Sequence, residues 1–286
     1  MDILPQYLFN GILVGSSYAL IAIGLTAIFG LMNIANFAHG QFYMLGGFVG
    51  YFLTTAIGMP FWFALVASAV IVAAVGFLLE RLIFRRLRGA PLLSSVMATI
   101  GLAIVLENLA LLVWGPRPER IPSGMPSTSV EFFGVFATPG RIAIVCITIA
   151  LVALLQLGLH YTLMGKQIRA TFQQREAAQL VGIDIGRLYA LTFACGAALA
   201  ATAGVMLGSI FVVHPSMGGV ATLKAFIVVI LGGIGNFPGA IAGGLILGIA
   251  ESFGGMFSSA YKDAAGFLLV ILILLFKPAG LFGKHP

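Results

Sequence analysis

Charged residues are scarce in this sequence of 286 residues. Lys, Arg, Asp and Glu make up 8% of it, against about 25% in a typical soluble domain. Sixty per cent of the residues are hydrophobic, and the mean hydropathy is +1.09. So few charges cannot cover a surface that faces water, which excludes a soluble enzyme, a secreted disulfide scaffold and a disordered chain. The composition indicates a chain whose main solvent is lipid.

Motifs for nucleotide, metal or redox chemistry are missing as well. The sequence contains no GxxxxGK[ST] phosphate loop and no HExxH pair, the two arrangements that would suggest ATP or zinc. Its two cysteines, Cys146 and Cys195, lie in separate apolar stretches and form no CxxC pair. We therefore predict no enzymatic activity, no cofactor and no metal site in this chain. Asp2 stands where a signal peptide would carry a basic residue, so we expect no cleaved leader.

Long apolar stretches dominate what is present. A bilayer core needs about 20 apolar residues per helix. The candidate stretches are 3–38, 40–79, 92–114, 142–159, 188–223 and 225–276, with breaks at 58–60, 235–238 and 261–263. The sequence predicts an all-α integral membrane protein in one domain over 1–286. We expect a polytopic helix bundle of about eight or nine transmembrane segments, some of them broken or partial.

Basic residues give the orientation of this bundle. The net charge of +6 could suggest a nucleic-acid partner, but Lys and Arg occur in short clusters between apolar stretches, as in membrane loops. If the cluster at 81–88 lies inside, then 163–187 and the C-terminus are also inside, and 115–141 is outside. Ten basic residues then lie inside, Lys284 among them, and five outside, among them Lys224. This excess predicts a cytoplasmic C-terminus and no nucleic-acid partner.

The predicted outer loop, 115–141, is rich in proline. It holds five of the twelve prolines, and proline fixes φ and prevents a long helix. Residues 130–136 could form a small strand or hairpin on the outer surface. The loop is either a stiff external cap or a plain connector.

The predicted inner loop, 163–187, is the longest polar stretch on its side. Its segment 165–182 contains no proline and has good helix propensity. Ile168 and Phe172, four residues apart, fall on one face of a helix. We predict one short amphipathic helix that ends at Gly182 and lies across the inner ends of the spans.

A motif in this inner loop resembles one in a known family. Glu176, Ala177 and Ala178, followed after three residues by Gly182, resemble the EAA loop of ABC-transporter permeases. The wider chain resembles the branched-chain amino-acid ABC permease family in three runs: GSSYALIAIGLTAIFGLMNIANFAHG at 15–40, RATFQQREAAQLVGID at 169–184 and GGIGNFPGAIAGG at 232–244.

This resemblance implies a permease domain over 1–286 in the inner membrane of a bacterium. It implies that the EAA loop seats in a cleft of an ATP-binding subunit. The partners would be two such subunits, a second related permease and an extracytoplasmic solute-binding protein. Leucine, isoleucine and valine would be the substrates, although relatives also handle urea, amides and small acids. The alternative is a secondary transporter or channel driven by an ion gradient.

Two short segments of the chain resemble each other. Residues 34–37 read Ile-Ala-Asn-Phe and residues 234–237 read Ile-Gly-Asn-Phe, at an offset of 200. Each places an asparagine and helix-breaking residues in an apolar region. Corresponding breaks in two halves indicate a transport pathway, because unpaired backbone groups survive only where they are buried in protein or meet water. We therefore assign Asn36, Phe37, His39, Asn236 and Phe237 to the pathway, with membrane-edge turns capped by asparagine as the alternative.

Ionisable residues inside apolar stretches are the remaining candidates. Glu107 lies well within its span, and Glu251 lies toward the outer end of another. Glu107 makes either a structural hydrogen bond or part of the pathway. Lys224 and His214 are predicted at the outer boundary, where a long polar side chain can reach water.

Overall fold

The computed structural model describes residues 3–126, 128–132, 134–259 and 261–283. Asp2, Phe133 and Lys284, which enter the leader, hairpin and charge-balance predictions, lie outside these ranges. Within them the chain forms eleven α-helices and one two-stranded sheet. The all-α prediction is therefore confirmed, and six of the helices are long and apolar enough to cross a membrane.

Six long helices form the frame of the bundle. They are α1 (Ile3–Met32), α3 (Phe61–Leu82), α4 (Leu92–Trp114), α5 (Pro139–Tyr161), α8 (Ile185–Ile210) and α10 (Phe237–Phe257). Three further helices are shorter, with 16 or 17 residues: α2 (His39–Thr55), α9 (Met217–Gly232) and α11 (Tyr261–Phe276). A 3-10 turn, Phe84–Leu87, connects α3 to α4.

The centre of the bundle is α1, which packs along α10 and α8. Glycines make this close approach possible, as small residues do between helices in lipid. A methyl group at Gly248 of α10 would lie 2.4 Å from the Gly15 Cα atom of α1, and one at Gly24 would lie 2.7 Å from the Gly196 carbonyl oxygen of α8. By contrast, α4 and α5 expose most of their apolar surface. This surface is available to lipid or to other subunits.

One end of the bundle carries the proline-rich loop. Strands β1 (Val130–Phe132) and β2 (Val135–Ala137) pair antiparallel within it, where we predicted a strand or hairpin. The loop is fastened to the start of α1, because the Phe136 backbone N–H donates to Gln6 Oε1 at 2.8 Å. It is also fastened to the segment after α8 through a bridge between Glu119 and Val213. It is therefore a packed cap rather than a plain connector.

The other end of α1 meets the predicted inner loop. A methyl group at Gly30 would lie 2.3 Å from the Phe172 ring. The two loops therefore lie at opposite ends of α1.

The inner loop forms two helices where we predicted one over 165–182. Helix α6 (Leu163–Gln173) and helix α7 (Arg175–Leu180) are separated at Gln174, which has extended dihedral angles (φ −155°, ψ 100°). The prediction of a continuous helix is therefore wrong, because this turn aims α7 so that Ala178 becomes buried.

Lys224 lies inside α9, and only 4% of it is exposed. It does not reach water there as the sequence analysis expected. It pairs with the buried Glu251 and with Asp263, whose side chain is 66% exposed.

Candidate functional site

The inner-loop helices attach to the bundle through one apolar face. Thr162 caps α6 by accepting a hydrogen bond from the Gly165 backbone N–H at 3.0 Å. Ile168 is buried, as predicted, and Phe172 is half-buried against the last turn of α1. The opposite face of α6 is polar, which is the pattern of a helix lying across the end of a bundle.

Helix α7 carries the motif Glu176-Ala177-Ala178. Glu176 and Ala177 are exposed, while Ala178 is buried. After the helix, Gly182 has a φ of +87°, a conformation that glycine adopts without strain and that ends a helix. The predicted stop at Gly182 is confirmed.

Two large apolar side chains project beside this motif. Leu180 is 89% exposed and Val181 is 77% exposed. They lie at the end of the bundle that carries α6 and α7, on the loop predicted to be polar. Together they place exposed apolar surface directly beside the motif.

The start of α7 is held by a cluster of charged and aromatic side chains. The guanidinium carbons of Arg88 and Arg175 lie 4.7 and 5.5 Å from the Tyr189 ring centroid, from the 3-10 linker and from α7 respectively. Arg88 also pairs with the fully buried carboxylate of Glu80 in α3. This cluster connects α3, α7 and α8, so a movement of α7 would reach two helices of the bundle.

Residues 33–38 form the first of the predicted breaks. The chain leaves α1 at Met32 and turns back beside it. His39, the first residue of α2, then has its Nε2 atom 3.1 Å from the Ile21 carbonyl oxygen. Ile21 is eleven residues before the end of α1, or about 16 Å along the helix. The segment is therefore re-entrant, and α2 begins in the interior.

The re-entrant segment and the first turn of α2 bury several polar side-chain atoms. Asn36 Oδ1 accepts from the Ala38 backbone N–H at 3.0 Å, and Phe37 stacks on Phe226 of α9 with ring centroids 4.6 Å apart. Within the described residues, Asn36 Nδ2, His39 Nδ1 and Gln41 Oε1 are buried without a hydrogen-bond partner. Such atoms are costly in an apolar interior unless they meet water or a ligand.

Residues 211–216 form a second re-entrant segment that the sequence analysis missed. After α8 this segment returns along α2, so that the start of α9 meets the start of α2. The Gly40 backbone N–H donates to Thr222 Oγ1 at 3.0 Å, and a methyl group at Gly218 would lie 2.3 Å from Gln41 Oε1. The unusually short apolar helix 217–232 was the available signal. We instead assigned 188–223 to one span with a short exit segment and placed Lys224 outside.

Asn236 and Phe237 lie elsewhere, at the end of the bundle that carries α6 and α7. Asn236 caps α10 by accepting from the Gly239 backbone N–H at 2.9 Å. Phe237 faces the Phe172 ring of α6, with centroids 6.2 Å apart. The structure therefore does not bring these two residues together with Asn36, Phe37 and His39.

The two predicted intramembrane glutamates also differ. Glu107 is half-buried on the peripheral helix α4, and among the described residues it has no hydrogen-bond or ion-pair partner. Glu251 is fully buried, accepts from the Tyr18 hydroxyl at 2.9 Å and pairs with Lys224. The structural hydrogen bond that we considered for Glu107 is thus not made within the described part of this chain.

Comparison with known proteins gives the family. The family described as "Branched-chain amino acid transport system / permease component" matches residues 7–276. The permease protein LivH of the high-affinity branched-chain amino acid transport system of Escherichia coli K12 is 40% identical over 293 residues, covering 98% of this chain and 95% of LivH. The corresponding protein BraD of Pseudomonas aeruginosa is 39% identical over the same length and the same shares.

A more distant relative is LivM, another permease protein of that system in E. coli K12. It is 26% identical over 290 residues, which cover 92% of this chain and 67% of LivM. With the family match extending over nearly all of the sequence, this multi-pass membrane protein belongs to the branched-chain amino acid transport permease family.

Proposed function

We propose that this chain is the permease subunit of an ATP-driven ABC importer that carries leucine, isoleucine and valine across the inner membrane of a bacterium. The observation that carries the proposal is the family match over 7–276 together with about 40% identity, over 98% of the chain, to LivH. The chain has no phosphate loop of its own, so partner subunits hydrolyse the ATP.

The proposed coupling element is α7. Its exposed Glu176 and Ala177, followed by the exposed Leu180 and Val181, form a surface that suits a cleft in an ATP-binding subunit. Gly182 lets the chain turn back into α8, and Ala178 seats the helix. Closure of two ATP-binding subunits would move α7, and the Arg88–Tyr189–Arg175 cluster would pass that movement to α3 and α8.

Two other partners complete the proposed assembly. The similarity to both LivH and LivM supports a second, related permease beside this one, and the exposed α4 and α5 offer surface for it. An extracytoplasmic solute-binding protein would dock on the cap formed by 115–141. The solute would then pass the re-entrant segments, where α2 and α9 begin, by alternating access.

Transport energetics test this proposal against the ion-gradient alternative. Membrane vesicles that contain the assembled importer and the binding protein should take up radiolabelled leucine in the presence of ATP. We expect vanadate to stop the uptake and an ionophore that collapses ion gradients to leave it intact. The opposite sensitivities would favour the ion-gradient-driven transporter, and the absence of ATP-binding subunits from the purified complex would argue against an ABC importer.

A charge reversal tests α7. Glu176→Lys should abolish most leucine uptake while ATP hydrolysis by the assembled complex continues, because the exposed carboxylate contributes to the docking surface and not to the core. Lys277→Glu, an exposed charge reversal directly after α11, is the matched control and should retain uptake. Equal uptake in the two variants would remove α7 from the coupling role.

Sided labelling tests the orientation. Single cysteines at 125 and 173, in a chain without Cys146 and Cys195, should react with a membrane-impermeant thiol reagent from opposite sides. We expect residue 125 to react in intact spheroplasts and residue 173 only in inverted vesicles, which would place the C-terminus in the cytoplasm. Labelling of both from one side would overturn the topology.

A further inference from the structure

Two neighbouring cavities open at the end of the bundle that carries the hairpin. The first has a volume of about 280 Å³ and the second of about 230 Å³. Val14, Phe211 and Lys262 border both. Both volumes lie below the roughly 300–1,000 Å³ of pockets for drug-sized ligands. Each is therefore of a size for a small solute.

A buried ion pair separates the two cavities. Lys224 lines the first cavity and Glu251 the second, and the two side chains contact each other while only 4% and 0% exposed. Lys224 Nζ also donates to Asp263 Oδ1 at 2.8 Å, and the Tyr18 hydroxyl donates to Glu251 Oε2 at 2.9 Å. We call Lys224 and Glu251 the vestibule pair.

The charges around the pair are of both signs. Lys262 lies at the mouth of both cavities and Arg141 lines the second, while Asp263 is largely exposed beside Lys224. An anionic group can therefore pair with these basic side chains, and a cationic group can pair with Glu251 or Asp263. A ligand that carries one charge of each sign can form both kinds of ion pair at once.

The rest of the first cavity is mostly apolar. Its walls include Ile21, Leu207, Met217 and Val220, with Tyr43 beside them. A branched aliphatic side chain would lose water against these walls, which favours binding in proportion to the apolar area covered. The buried ion pair can bind the charged groups of a zwitterion, and the apolar wall can bind its aliphatic side chain.

We propose that the vestibule pair binds the charged head group of the amino acid, with the substrate carboxylate on Lys224, its ammonium group on Glu251 and its side chain in the first cavity. This inference rests on the proposed function and adds a substrate site to it. A substrate that inserts between Lys224 and Glu251 breaks their mutual ion pair and forms two new ones, one with each side chain. Neither buried charge is left without a partner, which would be the costly state.

A purely structural pair is the competing explanation. Removing one partner alone would leave an uncompensated buried charge and could unfold the chain, whereas neutralising both partners of a buried pair is often tolerated. The double variant Lys224→Met with Glu251→Gln is therefore the informative one. It keeps an amide to accept the Tyr18 hydrogen bond and removes both charges.

Protection of an introduced cysteine measures binding in the cavity directly. Val220→Cys, at a site 56% exposed in the first cavity, is placed in a chain with Cys146→Ala and Cys195→Ala. The assembled importer in membrane vesicles is modified with a small methanethiosulfonate reagent. The added ligands are leucine, 4-methylpentanoate, which lacks the ammonium group, and 3-methylbutylamine, which lacks the carboxylate.

We expect leucine to slow modification at concentrations where neither analogue does. In the double variant the leucine concentration for half protection should rise about tenfold or more, since hydrogen bonds to charged groups are lost. Leu112→Cys, on the exposed face of α4, is the control and should show no protection.

Two results would overturn the site: equal protection in the double variant, or no protection in vesicles that take up leucine. Uptake is measured on the same vesicles, so failure of the site and failure of the function are separable. Vesicles that take up no leucine would count against the proposed function, whatever the labelling shows.

Discussion

Residues 34–37 and 234–237 differ at one position of four in sequence, yet they occupy different places in the bundle. The first lies in a re-entrant segment that returns about 16 Å along α1. The second lies at the end of the bundle that carries α6 and α7, where Gly235 approaches the last turn of α1 at Gly30. Asn36 is fully buried, whereas Asn236 is half-buried and caps a helix.

The difference arises from what the following helix packs against. After the first break, α2 starts against α9, where Gly40 and Gly218 touch and Thr222 supplies a hydroxyl. After the second break, α10 starts at the edge and packs antiparallel along α1, where Gly244 and Gly248 meet Gly15. The same four-residue pattern thus starts a helix of 17 residues in one place and a long span of 21 in the other.

The sequence left two explanations open for both breaks, a transport pathway and a turn capped by asparagine. The comparison supports a different one for each break. The second break has the geometry of a membrane-edge turn with an asparagine cap. The first has the geometry expected beside a pathway, because polar backbone and side-chain atoms reach the interior. We therefore keep Asn36, Phe37 and His39 as pathway candidates and regard Asn236 first as a cap.

The largest effect should follow from filling the contact between the half-length helices. A side chain at Gly40 would lie 2.1 Å from the Gly218 carbonyl oxygen, so Gly40→Val should destabilise the protein by about 3 kcal/mol or more. Gly219→Val is the matched control, because Gly219 is also helical and has open space around it. Heating in mild detergent followed by size-exclusion chromatography measures the effect, and equal stability of the two variants would deny the contact.

A smaller effect should distinguish the two asparagines. Asn36→Leu leaves the buried Ala38 N–H without its acceptor, at a cost of about 1–3 kcal/mol. We also expect leucine uptake per assembled complex to fall by about tenfold, equivalent to about 1.4 kcal/mol, because the substitution removes the buried Asn36 amide from the proposed pathway. Asn236→Leu should reduce it much less. Uptake per assembled complex is the measurement, and equal losses would restore the symmetric pathway that the sequence pattern indicated.

Local features of the fold were predictable from sequence. The helix Leu92–Trp114 has the predicted bounds, the chain breaks at 58–60, and Gly182 ends the inner loop helix. Each of these depends on apolar length, on proline or on a glycine with positive φ, and all such signals lie within a few residues of their effect.

Features set by distant contacts were not predictable. The burial of Lys224 was missed because its partners, Glu251 and Asp263, are 27 and 39 residues away on other helices. How far the segments 33–38 and 211–216 return into the bundle depends on the close contact between Gly40 and Gly218, which are 178 residues apart. The break at Gln174 follows no proline or glycine; it accompanies the burial of Ala178 and the contact of Arg175 with Tyr189.

The smallest effect should come from separating the two bonds that Asn236 makes. Its Oδ1 accepts from Gly239, and its Nδ2 donates to the Phe282 carbonyl oxygen at 2.9 Å. Asn236→Ala removes both and should cost about 1 kcal/mol. Asn236→Asp keeps the cap and adds a negative charge at a helix N-terminus, so we expect stability within about 0.5 kcal/mol of the parent.

Thermal unfolding midpoints of the two Asn236 variants decide between the bonds. A full loss in Asn236→Asp would mean that the tether to Phe282, rather than the cap, holds the second break. If neither variant loses thermal stability, Gly233 and Gly235 hold the second break. Their φ values of +95° and +78° shape the turn without any side chain. In each case a single cap, a single hydrogen bond to Phe282 or the glycine dihedral angles hold the second break, whereas the first depends on the packing of α2 against α9. We therefore expect only the first break to respond strongly to changes in packing.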